Sequence, residues 1–405
     1  MGANASHHDL KVRNPGTYAT PSEIKFLCFA LMLAGLASFL FLWRTNADRA
    51  WSIYLVNHFF FMSLALGGIF FAAIQWITGA MWSAPVRRLA ESFTAYLPIA
   101  LLSLIGVCLA LHPIYHHWMD HEAVMKDPIL RGKSGYLNAG FFTIRNLVGF
   151  AILFFFSWKM VGNSVRQDSS GDYRLTLKNR VLTPAFLIFF AIGFTMMSFD
   201  QIMSLDPHWF STIFGIYCFA GLFYSTLAML AIFTVVLKRK GVLAGIVNEN
   251  HLHDIGKFMF AFTVFWTYIA ISQFLLIWYA NQPEETGFYL KRMQNGGSWM
   301  YVSLFLLFGK FMVPFFALIR RDAKRNEKWL VAVAVFMLIA QWIDILWLVQ
   351  PNFFKDGPRV GIFEIGVTLG FLGLFLFAAL RFLSKNNVVA IGDPRLAESV
   401  HHHHQ

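Results

Sequence analysis

Residues 214–237 read FGIYCFAGLFYSTLAMLAIFTVVL and are followed at once by Lys238-Arg239-Lys240. As an α-helix that run rises about 36 Å, enough to cross a hydrocarbon layer of about 30 Å. It contains no formally charged side chain. The basic triplet at its end marks the side of the membrane on which Lys and Arg are retained.

Working outward, runs of this kind recur. Ten segments reach the length of about 20 apolar residues that a spanning helix needs: 22–43, 52–79, 89–112, 136–161, 182–205, 209–237, 255–279, 298–320, 329–350 and 360–383. The composition agrees. Of 405 residues 57% are apolar and 17% aromatic, 45 of them Phe, while only 14% are charged; such a chain is an all-α integral membrane protein rather than a soluble domain. The net charge of +11 does not indicate nucleic acid, because the basic residues lie between apolar runs as loop charges. Cys28, Cys108 and Cys218 each fall inside an apolar run, and no CxxC or CxxCH spacing encodes an iron-sulfur site or c-type haem attachment. The first 22 residues are polar and include Pro15 and Pro21, so the first span is expected to direct insertion itself.

Orientation follows from the connections. One side holds 20 Lys and Arg, the other 9, and Lys25, Arg145, Lys257 and Lys310 lie in or at the ends of spans. The richer side, with both termini, is expected to be cytoplasmic. The organisation read from the chain is an N-tail (1–21), a flanking helix (22–51), a four-helix bundle (52–207), a second four-helix bundle (208–351), a second flanking helix (352–383) and a C-tail (384–405). The two bundles are read as a parallel repeat. Gly68-Ile-Phe-Phe-Ala answers Gly221-Leu-Phe-Tyr-Ser, and Arg145-Asn-Leu-Val-Gly-Phe answers Lys310-Phe-Met-Val-Pro-Phe. Asp200 and Asp344 each stand seven residues before a proline that ends a span. Four helices per unit return the chain to the same side, the condition for parallel repeats. Gly366 and Gly370 offer a small-residue face on the last span.

An ionisable group in hydrocarbon costs about 2.5–3.5 kcal/mol on the insertion scale, so it faces a bundle interior and a partner. Arg145, Asp200, Lys310, Asp344 and Glu364 are therefore the informative residues. Arg145 with Asp200, and Lys310 with Asp344, are at depths where they can meet. Such pairs serve as a proton-conducting polar file or as a structural lock for each bundle. Asp254 and Lys257 are three apart on one helical face; they form either the mouth of an inner half-channel continued by Thr263, Tyr268 and Gln273, or a solvated helix end. His58 and His112 lie too near the surface for a buried bis-histidine haem. They are candidates for contact with a quinone head group, or are satisfied interfacial histidines. His116, His117 and His121 lack a regular ligand spacing, and no metal site is expected. No span is interrupted at mid-depth by paired Gly and Pro, which speaks against a substrate transporter.

Two passages carry a family resemblance: Ser204-Leu-Asp-Pro-His-Trp-Phe-Ser-Thr-Ile-Phe-Gly-Ile-Tyr217, and Phe260-Ala-Phe-Thr-Val-Phe-Trp-Thr-Tyr-Ile-Ala-Ile-Ser-Gln-Phe-Leu-Leu-Ile-Trp-Tyr-Ala-Asn-Gln-Pro-Glu-Glu-Thr286. Both are similar to the ActF membrane subunits of bacterial alternative complex III, a quinol:electron-acceptor oxidoreductase. The ten-span plan resembles the wider polysulfide-reductase (NrfD-like) membrane subunits. The resemblance implies a subunit of the bacterial cytoplasmic membrane with no redox centre of its own. Its implied partners are a sister membrane subunit, ActC, multi-haem cytochrome c and iron-sulfur subunits, membrane lipids and, as a further associate, a terminal oxidase. Haem c and iron-sulfur clusters would reside in those partners, and a quinone or menaquinone would be the only small cofactor this chain could touch. Asp206, His208, Trp209, Glu284 and Glu285 would point towards the outer partners. Proton translocation or structural support is the role the resemblance leaves to this chain.

Overall fold

The computed structural model describes residues 14–293 and 297–400. Most of the N-tail and the His401–His404 run lie outside the described residues. Ten helices are long and apolar enough to cross a membrane, so the chain is an all-α multi-pass membrane protein. They are α1 (Ser22–Thr45), α2 (Ala47–Thr78), α3 (Ala84–Leu109), α4 (Ala139–Ser170), α5 (Tyr173–Gln201), α6 (Phe214–Arg239), α7 (Glu249–Ala280), α8 (Ser298–Ile319), α9 (Glu327–Val349) and α10 (Ile362–Lys385). Among the described residues the only β pairing is an isolated antiparallel bridge, Thr17 to Asn387.

Several helices outrun their apolar windows. α4 was expected to end near 161 but continues through Asn163-Ser-Val-Arg-Gln-Asp-Ser169 to Gly171, whose φ of 62° closes it. Asp172 then starts α5 by accepting from the Arg174 amide. Polar residues sustain a helix as well as apolar ones; hydropathy marks where lipid ends, not where the helix ends.

The helices pack as two rings. α2 touches α3 and α5, and α4 touches α3 and α5. In the same order α6 touches α7 and α9, and α8 touches α7 and α9. The rings meet where α2 and α5 lie on α6 and where α2 lies on α9. α2 and α6 are accordingly the core helices: 83% and 89% of their apolar windows are buried, against 17% for α1. Phe stacks fill the seam. Phe70 of α2 lies 4.7 Å from Phe190 and 4.9 Å from Phe219, and Phe223 lies 4.6 Å from Phe262; ring pairs of this kind add about 0.5–1.5 kcal/mol beyond their burial.

α1 and α10 pack on one another, and α10 lies against α2 and α3 of the first ring. A side chain at Gly35 would collide with the Gly370 backbone, and one at Gly366 with Ser38, so the small-residue face read on the last span is a close helix–helix seam. The repeat glycines differ in use. A Cβ on Gly68 would meet the Ala90 carbonyl of α3, whereas one on Gly221 would meet Gln341 of α9.

Two departures bear on the site. α8 is π-helical over Phe305–Met312, a local widening that the hydropathy pattern did not signal, within a span that continues from Ser298 to Ile319. Pro314 has no amide to give the Lys310 carbonyl four residues earlier, and its ring crowds that carbonyl. The Tyr224 hydroxyl supplies the missing donor at 3.3 Å. The C-tail, read as a simple tail, folds back: Val388 and Val389 are buried, and Asp393 pairs with Arg87.

Candidate functional site

Each ring holds a buried ion pair on its third and fourth helices. In the first, Arg145 of α4 places Nη2 at 2.9 Å and Nε at 3.1 Å from the two oxygens of Asp200 on α5. Its third donor goes to the Tyr136 carbonyl at 3.0 Å. The guanidinium carbon lies 3.7 Å from the Tyr136 ring centre and 4.1 Å from that of Phe141. Asn146, one residue on, donates to Asp200 at 3.1 Å and accepts from Gln201 at 2.9 Å. The pair sits near the loop end of the ring, since α4 begins at Ala139 and α5 ends at Gln201.

In the second ring, Lys310 of α8 donates at 2.7 Å both to Asp344 and to Gln341 of α9. Gln341 and Asp344 are three apart and so share a face. The ammonium lies 3.7 Å from the Trp266 ring centre, and the Tyr217 hydroxyl donates to the other Asp344 oxygen at 2.5 Å. Lys310 and Asp344 are 0% and 1% exposed, which excludes solvent from both charges. The ammonium has two hydrogen-bond acceptors and an aromatic face, and each Asp344 oxygen has a donor, as a buried charge requires.

Two spaces border this second cluster. A cleft of about 210 Å3 is lined by Tyr217, Trp266, Tyr289 and Trp347, and by exposed lipid-side residues of α7 and α8 such as Leu307. Against Asp344 lies a void of about 10 Å3 bounded also by Ser63, Ser225 and Gln341, at the lower limit of what holds one water molecule. The buried Ser63 hydroxyl, on α2, has no protein partner.

The remaining sequence candidates divide. Asp254 and Lys257 do meet, at 2.6 Å, with Lys257 half exposed. Their expected continuation is corrected: Thr263 and Gln273 are buried but Tyr268 is 66% exposed, because five residues turn a helix by about 500°, or 140° away from the starting face. Glu364 stands in the first turn of α10, where it accepts from the Gly361 amide at 2.9 Å and holds Arg49 at 2.6 Å; it joins neither polar cluster. His58 is buried and bonded to Ser103 at 2.6 Å. His112 is exposed. The docking candidates also need correction. Asp206 is bonded to Lys291 at 2.6 Å, and Trp209 is buried in a stack with Phe288, ring centres 4.0 Å apart. Both are spent on holding the short helix Pro283–Met293 against the ring. His208 pairs with Asp127 at 2.6 Å, and the bond it makes holds the half-buried Asp127 carboxyl below its ordinary value. Glu284 is exposed and Glu285 half-buried.

Several charged groups gave no useful signal in the sequence. Arg292, fully buried, donates to the Trp347 and Leu348 carbonyls at 3.0 Å each, the bare end of α9. Burial pulls its guanidinium down to about 9, still charged at neutral pH. Arg88 lies 3.1 Å from Glu91 and 3.0 Å from Asp168, with Ser164 donating to both Glu91 oxygens at 2.9 Å. An acid inside an apolar window, Glu91, was the available clue. Gln341 and Tyr217 were also missed, although each is close in sequence to a residue already singled out.

Among the described residues no group of three or more His, Cys, Asp or Glu side chains is placed to hold a metal ion. No family model matches the chain, and neither does any curated protein.

Proposed function

We propose that this chain is a membrane subunit of a respiratory quinol:electron-acceptor oxidoreductase of the alternative complex III type. It carries no redox centre and moves protons through the Lys310/Asp344 cluster of its second ring. The observation that carries the reading is the buried Lys310–Asp344–Tyr217 set: three groups that can each gain or lose a proton, in bonded contact, with Tyr217 lining a lipid-side cleft and both Tyr217 and Asp344 lining a water-sized void. Arg145 cannot exchange a proton. In this reading the first ring provides a fixed electrostatic element, and the termini are cytoplasmic, as the loop charges favour. The resemblance of residues 204–217 and 260–286 to ActF supports the choice of complex.

The test is purification through this chain from its native membrane, with mass spectrometry of what co-purifies and a visible spectrum. The expected result is multi-haem c-type cytochromes, an iron-sulfur protein and a second ten-helix chain. A lone colourless protein overturns the assignment. In the intact complex, Asp344→Asn is expected to lower the proton-to-electron ratio while assembly persists; an unchanged ratio leaves a scaffold.

One observation favours a second reading, a secondary transporter: the π-helical segment of α8 places its irregular backbone beside Lys310, at the kind of depth where transporters bind substrate. Solute uptake by the purified chain in vesicles, abolished by Lys310→Met, would select it.

A further inference from the structure

The end of α4 and the start of α5 enclose a groove of about 600 Å3 that neither ion pair uses, lined by Lys159, Arg166, Arg174 and Lys178 over an apolar wall that includes Leu177 and Val181. All four cations are exposed, and none takes part in an ion pair among the described residues. The acids of the same hairpin are committed elsewhere. Asp168 holds Arg88 at 3.0 Å, and Asp172 caps α5 through the Arg174 amide. Arg166 finds only neutral oxygens, Asn163 Oδ1 at 2.7 Å and the Gly162 carbonyl at 3.2 Å.

Four like charges converging on one groove repel one another unless an anion lies between them. The wall beneath them sets a second requirement. Val181 is 77% exposed, and it lies one turn further into the span than Lys178. An occupant must therefore be anionic at its head and apolar along its tail. Inorganic phosphate meets only the first condition and a zwitterionic lipid only the second. We propose that this groove binds the head group of an anionic diacyl phospholipid, with an acyl chain running down the Leu177/Val181 face. Basic pockets between spanning helices take such lipids at the charged leaflet.

The experiment uses the full-length protein exchanged into mixed phosphatidylglycerol and phosphatidylcholine, with retained lipid read by native mass spectrometry. Phosphatidylglycerol is expected to be retained over phosphatidylcholine and to be displaced by added salt. Neutralising one cation, as in Arg174→Gln, should weaken retention about fivefold. The set Lys159→Gln, Arg166→Gln, Arg174→Gln and Lys178→Gln should abolish the preference, while Lys159→Arg with Lys178→Arg keeps it. Equal retention of the two lipids, insensitivity of the wild-type preference to salt, or displacement of phosphatidylglycerol by inorganic phosphate at matched salt overturns the proposal. Salt sensitivity and phosphate competition are measured on the wild-type protein, so a variant that fails to fold does not block the test.

Discussion

In the first ring the cation is a guanidinium held by two bonds to one carboxylate and flanked by two aromatic rings; in the second it is an ammonium whose donors are divided between Asp344 and Gln341. The guanidinium is a planar fork, and the two-bond geometry fixes it in place. The ammonium is a point charge that rotates freely among acceptors. The carboxylates differ in the same sense. Asp200 takes its remaining bond from an amide, Asn146, and Asp344 from a phenol, Tyr217. Matching helices thus carry one pair whose cation has no proton to give and one cluster in which Lys310 and Tyr217 both have one. The two sites differ in proton chemistry at a constant charge.

The largest expected effect comes from breaking the more deeply buried pair. Lys310→Met leaves Asp344 charged and uncompensated, which should cost about 3–5 kcal/mol in thermal or denaturant unfolding of the detergent-solubilised protein. The double variant Lys310→Met with Asp344→Leu should recover most of that loss, because it removes both charges. A double variant as unstable as the single one would show that packing, not charge, is what the site contributes. Arg145→Met should cost about 3 kcal/mol, the lower end of the same range, because its pair lies near the loop end of the ring where water can reach a freed carboxylate. A larger loss than for Lys310→Met would reverse the ranking of the two rings.

Tyr217→Phe sharpens the comparison further by removing one hydrogen bond and no charge. The expected loss is about 1.5–3 kcal/mol, the worth of a bond to an ionised group. The matching Asn146→Leu change in the first ring should fall in the same range, read by the same unfolding measurement. The smallest effect is in the loop cluster that lies outside both pairs. Burial, with His116 and Lys291 nearby, pulls the His117 imidazole down to about 4 from its ordinary 6.5. The unfolded chain therefore binds the extra proton first, and stability should decline as pH falls from about 6.5 to about 4. His117→Gln should flatten that decline by less than about 1 kcal/mol, since the ring is only partly buried and solvent screens it. A slope unchanged by the substitution would move the pH dependence to the ion pairs.

How far the site was legible varies by residue for physical reasons. Arg145, Asp200, Lys310 and Asp344 stand out in sequence because a charge in hydrocarbon is costly, and each meets the partner expected of it. Glu364 carried the same signal but sits in a first turn, where a carboxylate caps the helix and holds Arg49. Asp206 and Trp209 looked like an outward-facing loop; polarity in a loop does not say whether another segment folds over it, and the Pro283–Met293 helix does. Arg292 was unreadable because its partners are backbone carbonyls, which no side-chain pattern encodes.

By itself the sequence determined the number of spans, the all-helical class and the four charges worth following, since each is a local consequence of transferring apolar or charged groups into lipid. Only the tertiary structure decided which charges pair, that Pro314 would widen α8 around Lys310, and that the C-tail would fold onto Arg87. Those outcomes depend on groups far apart in the chain satisfying one another's hydrogen bonds away from water, and no short window of sequence contains both partners.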